Sequence, residues 1–274
     1  MSAEEEKKEN TASAPTPDDI VFLAMMTRGD LVIPANERQY TYEITKLHNV
    51  MLHNVKPLMF LLCQDEGDVL QGLQFCLKHD LPLSVRSGAH GVDGASCRDG
   101  SFVLDLAGLN SVRYNKQDET VTFGSGATLG DLNISLLREG RHLPVGVAPP
   151  TGCGLILHGG IGYSAFKYGS SVEQIVGARV LLADGETIKD LTLDSKGDDK
   201  ELFFAIRGAA STVGIVLEVT CRTYPMENVT AGLFLMEDDD QYSGSAKLTR
   251  KAFQIVKEQE QKGQRTLSGM VYMR

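Results

Sequence analysis

"VRSGAHGVDGASCRDGSFVLDL", residues 85 to 106, sets one histidine, His90, in a short glycine-rich loop between two apolar runs that read as strands. So few side chains surround it that the protein itself offers little to cover the imidazole. The distribution of glycine points the same way: fifteen of the 28 glycines fall between Gly88 and Gly162, in clusters separated by strand-like segments. Clustered glycine lets backbone N–H groups approach a bulky group, or supplies positive φ in tight turns. The stretch therefore reads as built around a ligand.

Working outward, "PLMFLLC" (57–63) reads as a buried strand. In "DEGDVLQGLQFCLKHD" (65–80), Val69, Leu70, Leu73, Cys76 and Leu77 recur as the stripe of a helix on a core. "LPLSVR" and "FVLDL" are the strands on either side of the loop, and "SVRYNKQDETVTFGSG" reads as a hairpin. "GATLGDLNISLLREG" gives a helix with a broad apolar face of Leu129, Leu132, Ile134, Leu136 and Leu137, closed by Gly140. A second glycine cluster, "PPTGCGLILHGGIGYSAFKYG" (149–169), precedes two β-rich runs around an Asp184-Gly185 turn. A short acidic-capped helix "DDKELFFAIRGA" and a strand "GIVLEVTCRTY" follow. Ahead of all this, residues 20 to 56 show no clear period, although "ERQYTYEITKLHNVMLHN" has room for one helix. The pattern is that of a mixed α+β protein with glycine loops at strand ends, where ligands commonly bind.

Composition bounds the function. A chain of 274 residues has room for two domains at about 150 residues each. Its net charge of -9 argues against nucleic acid or an anionic membrane as partner. No apolar run reaches the length of a spanning helix, and the polar, acidic start lacks a signal peptide's basic-then-apolar order. The expectation is a cytoplasmic protein with a disordered acidic tail over residues 1–19. The cysteines (Cys63, Cys76, Cys97, Cys153, Cys221) are odd in number, widely spaced and without a CxxC pair, so they are expected as buried thiols rather than disulfides or zinc ligands. No two histidines have the spacing that would present metal ligands on one helix face.

One motif misleads. "VTFGSGATLGDL" (121–132) places GxGxxxG between a strand and a helix, a superficial copy of a dinucleotide-binding turn. It has no βαβ repeat and no acidic residue after a following strand, so it is not read as a nicotinamide site. Its helix start still offers N–H groups to the oxygens of some ligand.

"PLSVRSGAHGVDGAS" (82–96) resembles the pyrophosphate loop of the vanillyl-alcohol-oxidase or p-cresol-methylhydroxylase (PCMH) type of FAD-binding flavoproteins. "GLILHGGIGYSAFKYG" (154–169) is similar to that family's second glycine signature, at the matching separation. Within the superfamily the chain looks most like the berberine-bridge and 6-hydroxynicotine-oxidase-like branch, over residues 28 to 226. The resemblance implies a PCMH-type FAD-binding domain of two α+β subdomains over residues 20–226. It implies that Arg86, Ser87, Gly88, Ala89, His90 and Gly91 cradle the FAD diphosphate by backbone N–H groups, and it places Ser96 among the cofactor-binding positions. It further implies that His90 is bonded covalently to the 8α-methyl carbon of the flavin, its imidazole acting as nucleophile.

Other contacts follow from the same resemblance. Gly152, Cys153, Gly154 and Gly162 would let the main chain pass the flavin ring, and Val176 with Val216 or Ile215 would meet the adenosine half. β-Branched residues in strands are also ordinary core. Tyr163, Lys167 and Tyr168 would line the ring edge. Relatives carry glycine where this chain has Ala89, so that residue either stays at negative φ or bears strain. The position of a second, cysteine tether in some relatives falls on Ala148, so a single covalent bond is expected.

Residues 227–274 read as strand, helix, strand, the start of an α+β substrate domain that is complete in full-length relatives. The expectation is a truncated member of the family. The implied activity is hydride transfer from an alcohol, sugar or amine carbon to flavin N5, with oxygen as acceptor and a small molecule as substrate. A non-catalytic flavin-binding remnant and a non-covalent reductase resembling the enolpyruvyl-glucosamine reductases are the alternatives.

Overall fold

The structure is a computed structural model and describes residues 13–228 and 243–263. The chain begins with α1 (Pro17–Met26), β1 (Asp30–Val32), α2 (Glu37–Thr45), β2 (Met59–Leu62), α3 (Glu66–His79), β3 (Leu83–Arg86) and β4 (Phe102–Asp105). β2, β4 and β3 are parallel neighbours, and β1 adds antiparallel to the free edge of β2. Next come β5 (Val112–Asn115), β6 (Thr120–Gly124), α4 (Leu129–Arg138), β7 (Arg141–His142), α5 (Gly154–Leu157) and α6 (Ala165–Tyr168). β8 (Ile175–Leu182), β9 (Ile188–Thr192), α7 (Asp198–Ala209), β10 (Gly214–Arg222) and β11 (Tyr224–Pro225) complete this part. Here β5-β6-β10-β8-β9 form one antiparallel sheet, and β7 pairs with β11. The two α+β subdomains expected from the sequence are both present.

The two sheets share a core. β8 and β10 alternate their side chains, so that Val180 and Val219 pack under α4 and α7. Leu181, Ile215 and Leu217 pack instead with Leu104, Leu106 and Leu109 of the first subdomain and with Val69 and Leu73 of α3. A strand buried on both faces reads as a continuous apolar run, which is why "GIVLEV" shows no alternation. Close approach of the subdomains also uses up the GxGxxxG glycines: a Cβ on Gly124 would lie 2.0 Å from the Leu109 carbonyl oxygen, and one on Gly126 would lie 1.8 Å from that of Leu106. Those glycines serve packing between the two layers.

Several expected elements shift. Residues 17–19, assigned to the tail, open α1: Thr16 accepts from the Asp19 N–H, the Asp19 side chain caps the N–H of Thr16, and Pro17 occupies the first turn. Residues 1–12 lie outside the described residues, as do the two strands expected after residue 228. The helix expected between those strands is α8 (Ser243–Gln261). On α4 only Leu129, Leu132 and Leu136 are buried, whereas Ile134 and Leu137 are 58% and 60% exposed. The apolar face is narrower than the sequence suggested. All five cysteines are buried free thiols.

Where β3 hands over to the glycine loop, Arg86 is 1% exposed. Its Nε donates to Asp105 Oδ2 at 2.8 Å, its Nη1 to the Glu43 carbonyl at 2.8 Å and its Nη2 to both carboxylates, with the guanidinium over the Phe60 ring. Lys46 adds a fourth charge, 2.8 Å from Glu43. The cluster ties α2 to the ends of β3 and β4. Replacing one member strands the others in a low-dielectric interior, a loss of about 3–5 kcal/mol. We expect Arg86→Met to lower unfolding stability by that amount in urea titrations, and an unchanged midpoint would contradict this account of the cluster.

Candidate functional site

β2, β3 and β4 all end at the same edge of their parallel sheet, the edge at which ligands bind in such sheets. A hollow of about 280 Å³ lies there, lined by Lys46, Leu62, Cys63, Gln64, Asp105, Ala107 and Gly108. The loop carrying His90 leaves β3 at this edge. It meets the second glycine cluster backbone to backbone: a Cβ on Gly88 would sit 2.3 Å from the Gly152 nitrogen, and one on Gly152 would sit 2.2 Å from the Gly88 nitrogen. Neither position tolerates a side chain.

Ser87 fixes the junction. Its hydroxyl donates to the Ser125 carbonyl at 2.6 Å and accepts from the Cys153 N–H at 3.2 Å. Ser125 in turn donates its N–H to the Leu217 carbonyl at 3.0 Å and its hydroxyl to the Val216 carbonyl. Ser87, Gly88, Gly152, Cys153 and the backbone of Val216, widely separated in sequence, are thus brought to one place. Ser125 was not foreseen, because a serine inside a glycine-rich turn carries no pattern that names its partners.

Within the first loop, Ala89 has φ +52° and is 6% exposed. Alanine there bears a left-handed strain of about 1 kcal/mol. Such a residue curls neighbouring amides into a concavity of the kind that binds anions. Among the described residues, the N–H groups of Gly88, Ala89, His90 and Gly91 donate to no protein acceptor, and the buried Ser96 hydroxyl has no partner. These amides are free to donate to a ligand, and the buried Ser96 hydroxyl is a polar group that calls for a partner. By contrast, the helix start read as a ligand-facing donor is already used: Leu129 N–H goes to Thr151 O, Gly130 N–H to Pro149 O and Asp131 N–H to the Thr128 hydroxyl.

His90 is half-buried, and its ring stacks on that of His48, with centroids 3.8 Å apart and planes at 13°. Burial, and then the neighbouring His48, holds the His90 imidazole below the usual histidine range. His48 N–H donates to Ala89 O at 2.9 Å and Asn49 Nδ2 to Val92 O at 2.9 Å, so this segment straps the loop on both sides of His90. No spacing rule links positions so distant in the chain.

Other expected site residues stand differently. The Arg86 side chain is committed to Glu43 and Asp105 and sits in β3 rather than in the turn, so it contributes no donor to the cradle. Cys153 faces the core, fully buried, with its thiol pushed up to about 12 by burial, and is not a thiol beside a ring. The Val216 side chain is likewise core, 5% exposed, and Val176 is half-buried on β8. Gly162 is required by the protein itself, since a Cβ would lie 1.8 Å from the Val145 carbonyl oxygen. Of the expected site glycines Gly88, Gly91, Gly152, Gly154 and Gly162, Gly154 is the one at which a Cβ meets nothing within 4 Å. Lys167 pairs with Glu227 and Tyr168 stacks on Tyr224, while Tyr163 is exposed.

Residues 57–190, which contain both glycine loops, match the family described as FAD binding domain. The segment that holds both loops is thus similar to an FAD binding domain. The chain is similar to (R)-6-hydroxynicotine oxidase of Paenarthrobacter nicotinovorans, 34% identical over 175 residues, which are 64% of this chain and 37% of that protein. The fold superposes on the crystal structure of 6-hydroxy-D-nicotine oxidase from Arthrobacter nicotinovorans with a TM-score of 0.68 at 31% identity, covering 73% of this chain and 43% of the other. It also matches a carbohydrate oxidase from Microdochium nivale, with a TM-score of 0.67 and 28% identity over 75% of this chain and 43% of that one. The chain thus spans about two fifths of the length of these relatives.

The glycines separate into two kinds, which gives a test. Gly152→Ala forces Gly88 and Ser87 away and should cost about 1–3 kcal/mol in urea unfolding of the FAD-free protein. Gly154→Ala should leave that stability within about 0.5 kcal/mol, as expected of an open position, yet weaken FAD binding measured by fluorescence quenching. Equal effects of the two substitutions on stability would remove the distinction.

Proposed function

We propose that this chain binds FAD across the two glycine loops, held by the amides of Gly88–Gly91 and the Ser96 hydroxyl, with His90 as a single covalent tether. The observation that carries this reading is the row of unengaged amides beside a partnerless buried hydroxyl, inside the segment that matches an FAD binding domain. Two phosphates need several donors at close range, and main-chain amides supply them without a bulky cation. His90 suits a nucleophile's part because burial, and then His48, lowers its pKa and so favours the neutral ring with a free lone pair. Ala148, where a second tether would stand, has no reactive group, which supports one bond rather than two.

FAD, when bound, would supply an acceptor for one hydride, that is, two electrons carried with one proton. The fit is to oxidation of a small organic substrate at an alcohol, sugar or amine carbon, with dioxygen reoxidising the flavin. Relatives named as oxidases of 6-hydroxynicotine and of carbohydrate support that substrate range. Among the described residues no helix is long and apolar enough to cross a membrane, and a cytoplasmic location is part of the proposal.

Acid precipitation of the purified protein tests the cofactor assignment. A yellow pellet with a flavin spectrum is expected from the wild type and a colourless one from His90→Ala, and a yellow His90→Ala pellet would overturn the tether. Anaerobic bleaching of the bound flavin by a panel of sugars, alcohols and amines tests the reaction, and failure of every class would overturn the oxidase reading.

A further inference from the structure

We propose that His48 is the positioning residue for tethering His90: its ring, stacked face to face on the His90 ring, sets the plane in which that imidazole presents its nitrogen to the flavin. This rests on the covalent FAD reading above and extends it to a residue outside both glycine loops.

Three observations converge on His48. Its ring centroid lies 3.8 Å from that of His90 at an interplanar angle of 13°, a near-parallel contact in a half-exposed loop. Its backbone N–H holds Ala89 O, and the next residue holds Val92 O, so the strap is locked to the same loop whose ring it covers. Leu52, from the following turn, packs against Gly94 and closes the strap at the loop's far side. After burial, His48 is the charged neighbour that acts on His90; of the acids in the same loop, Asp93 accepts from Ala95 N–H and Asp99 from Lys56 N–H.

The chemistry needs both orientation and neutrality. In the tethering step, His90 gives a nitrogen lone pair to form the C–N bond to the 8α carbon, that methyl group releases one proton, and the imidazole releases its N–H proton. The two electrons and two protons pass to the isoalloxazine, and dioxygen then takes them to give hydrogen peroxide. A protonated imidazole has no lone pair to give. A ring free to rotate also wastes most encounters, and orientation is commonly worth factors of ten or more in rate. A cationic His48 would repel a cationic His90 across the stack, so the pair favours the neutral nucleophile.

The test uses the full chain, produced free of flavin and then mixed with FAD, with covalent incorporation followed by in-gel flavin fluorescence against pH. His48→Ala should slow incorporation by about tenfold or more at the high-pH plateau and move the half-maximal point to higher pH, since a group that lowers the His90 pKa is gone. His48→Phe keeps a ring for stacking but no charge, so it should restore the plateau while keeping the upward pH displacement. FAD quenching before the bond forms should be unchanged in both, which separates positioning from misfolding. Wild-type rates and pH midpoint in His48→Ala, with His90→Ala unlabelled, would overturn the role of His48 alone. No incorporation in the wild type, or incorporation that survives His90→Ala, would overturn the tether reading and this inference with it.

Discussion

A guanidinium sealed between two carboxylates is the constraint on which the rest of this protein depends. Arg86 ends β3, Asp105 ends β4 and Glu43 sits near the end of α2. Buried charges are tolerated only when each is answered, so their mutual satisfaction fixes the distances among three elements at once. From Arg86 the chain turns directly into the loop of His90. From Glu43 it runs through Lys46 into the strap of His48. Both halves of the histidine stack are therefore set by one ionic knot beneath them.

Above that knot, the two glycine loops depend on one another. Gly88 and Gly152 leave no room for a methyl group between them, and Ser87 binds both the second loop and the turn after β6. Hydrogen bonds passing from Cys153 through Ser87 and Ser125 to β10 make the loop junction part of the contact between the subdomains. Anything held by those loops is held by both layers. A binding surface so supported needs little reorganisation to meet a ligand, which is how rigid frames keep affinity from being spent on ordering.

Local pattern carried the reading of much of this architecture, and it failed where partners are distant. The stripe on α3, apart from Leu77, which is 47% exposed, the β5–β6 hairpin, the Asp184-Gly185 turn and the glycine clusters are all set by neighbours within a few residues, so period and turn chemistry reveal them. Arg86 is different: read as a cradle residue, it is a core ion pair, because Glu43 lies in a segment whose sequence has no clear period. Cys153 was placed beside a ring and faces inward, since nothing in "TGCG" says which side of the chain meets the core. His48 and Ser125 were missed for the same reason. The thread through these cases is that side-chain pairing across the tertiary fold leaves no trace in spacing.

The burial of the thiols has a further consequence. Oxidants such as peroxide attack the thiolate, and burial first of all raises the pKa of Cys63, Cys76, Cys97, Cys153 and Cys221, which disfavours that anion. Sulfenic acid formation is then disfavoured twice, by poor access and by lack of the reactive anion. The five thiols are thereby held apart from oxidative chemistry and serve as small apolar fillers of the core.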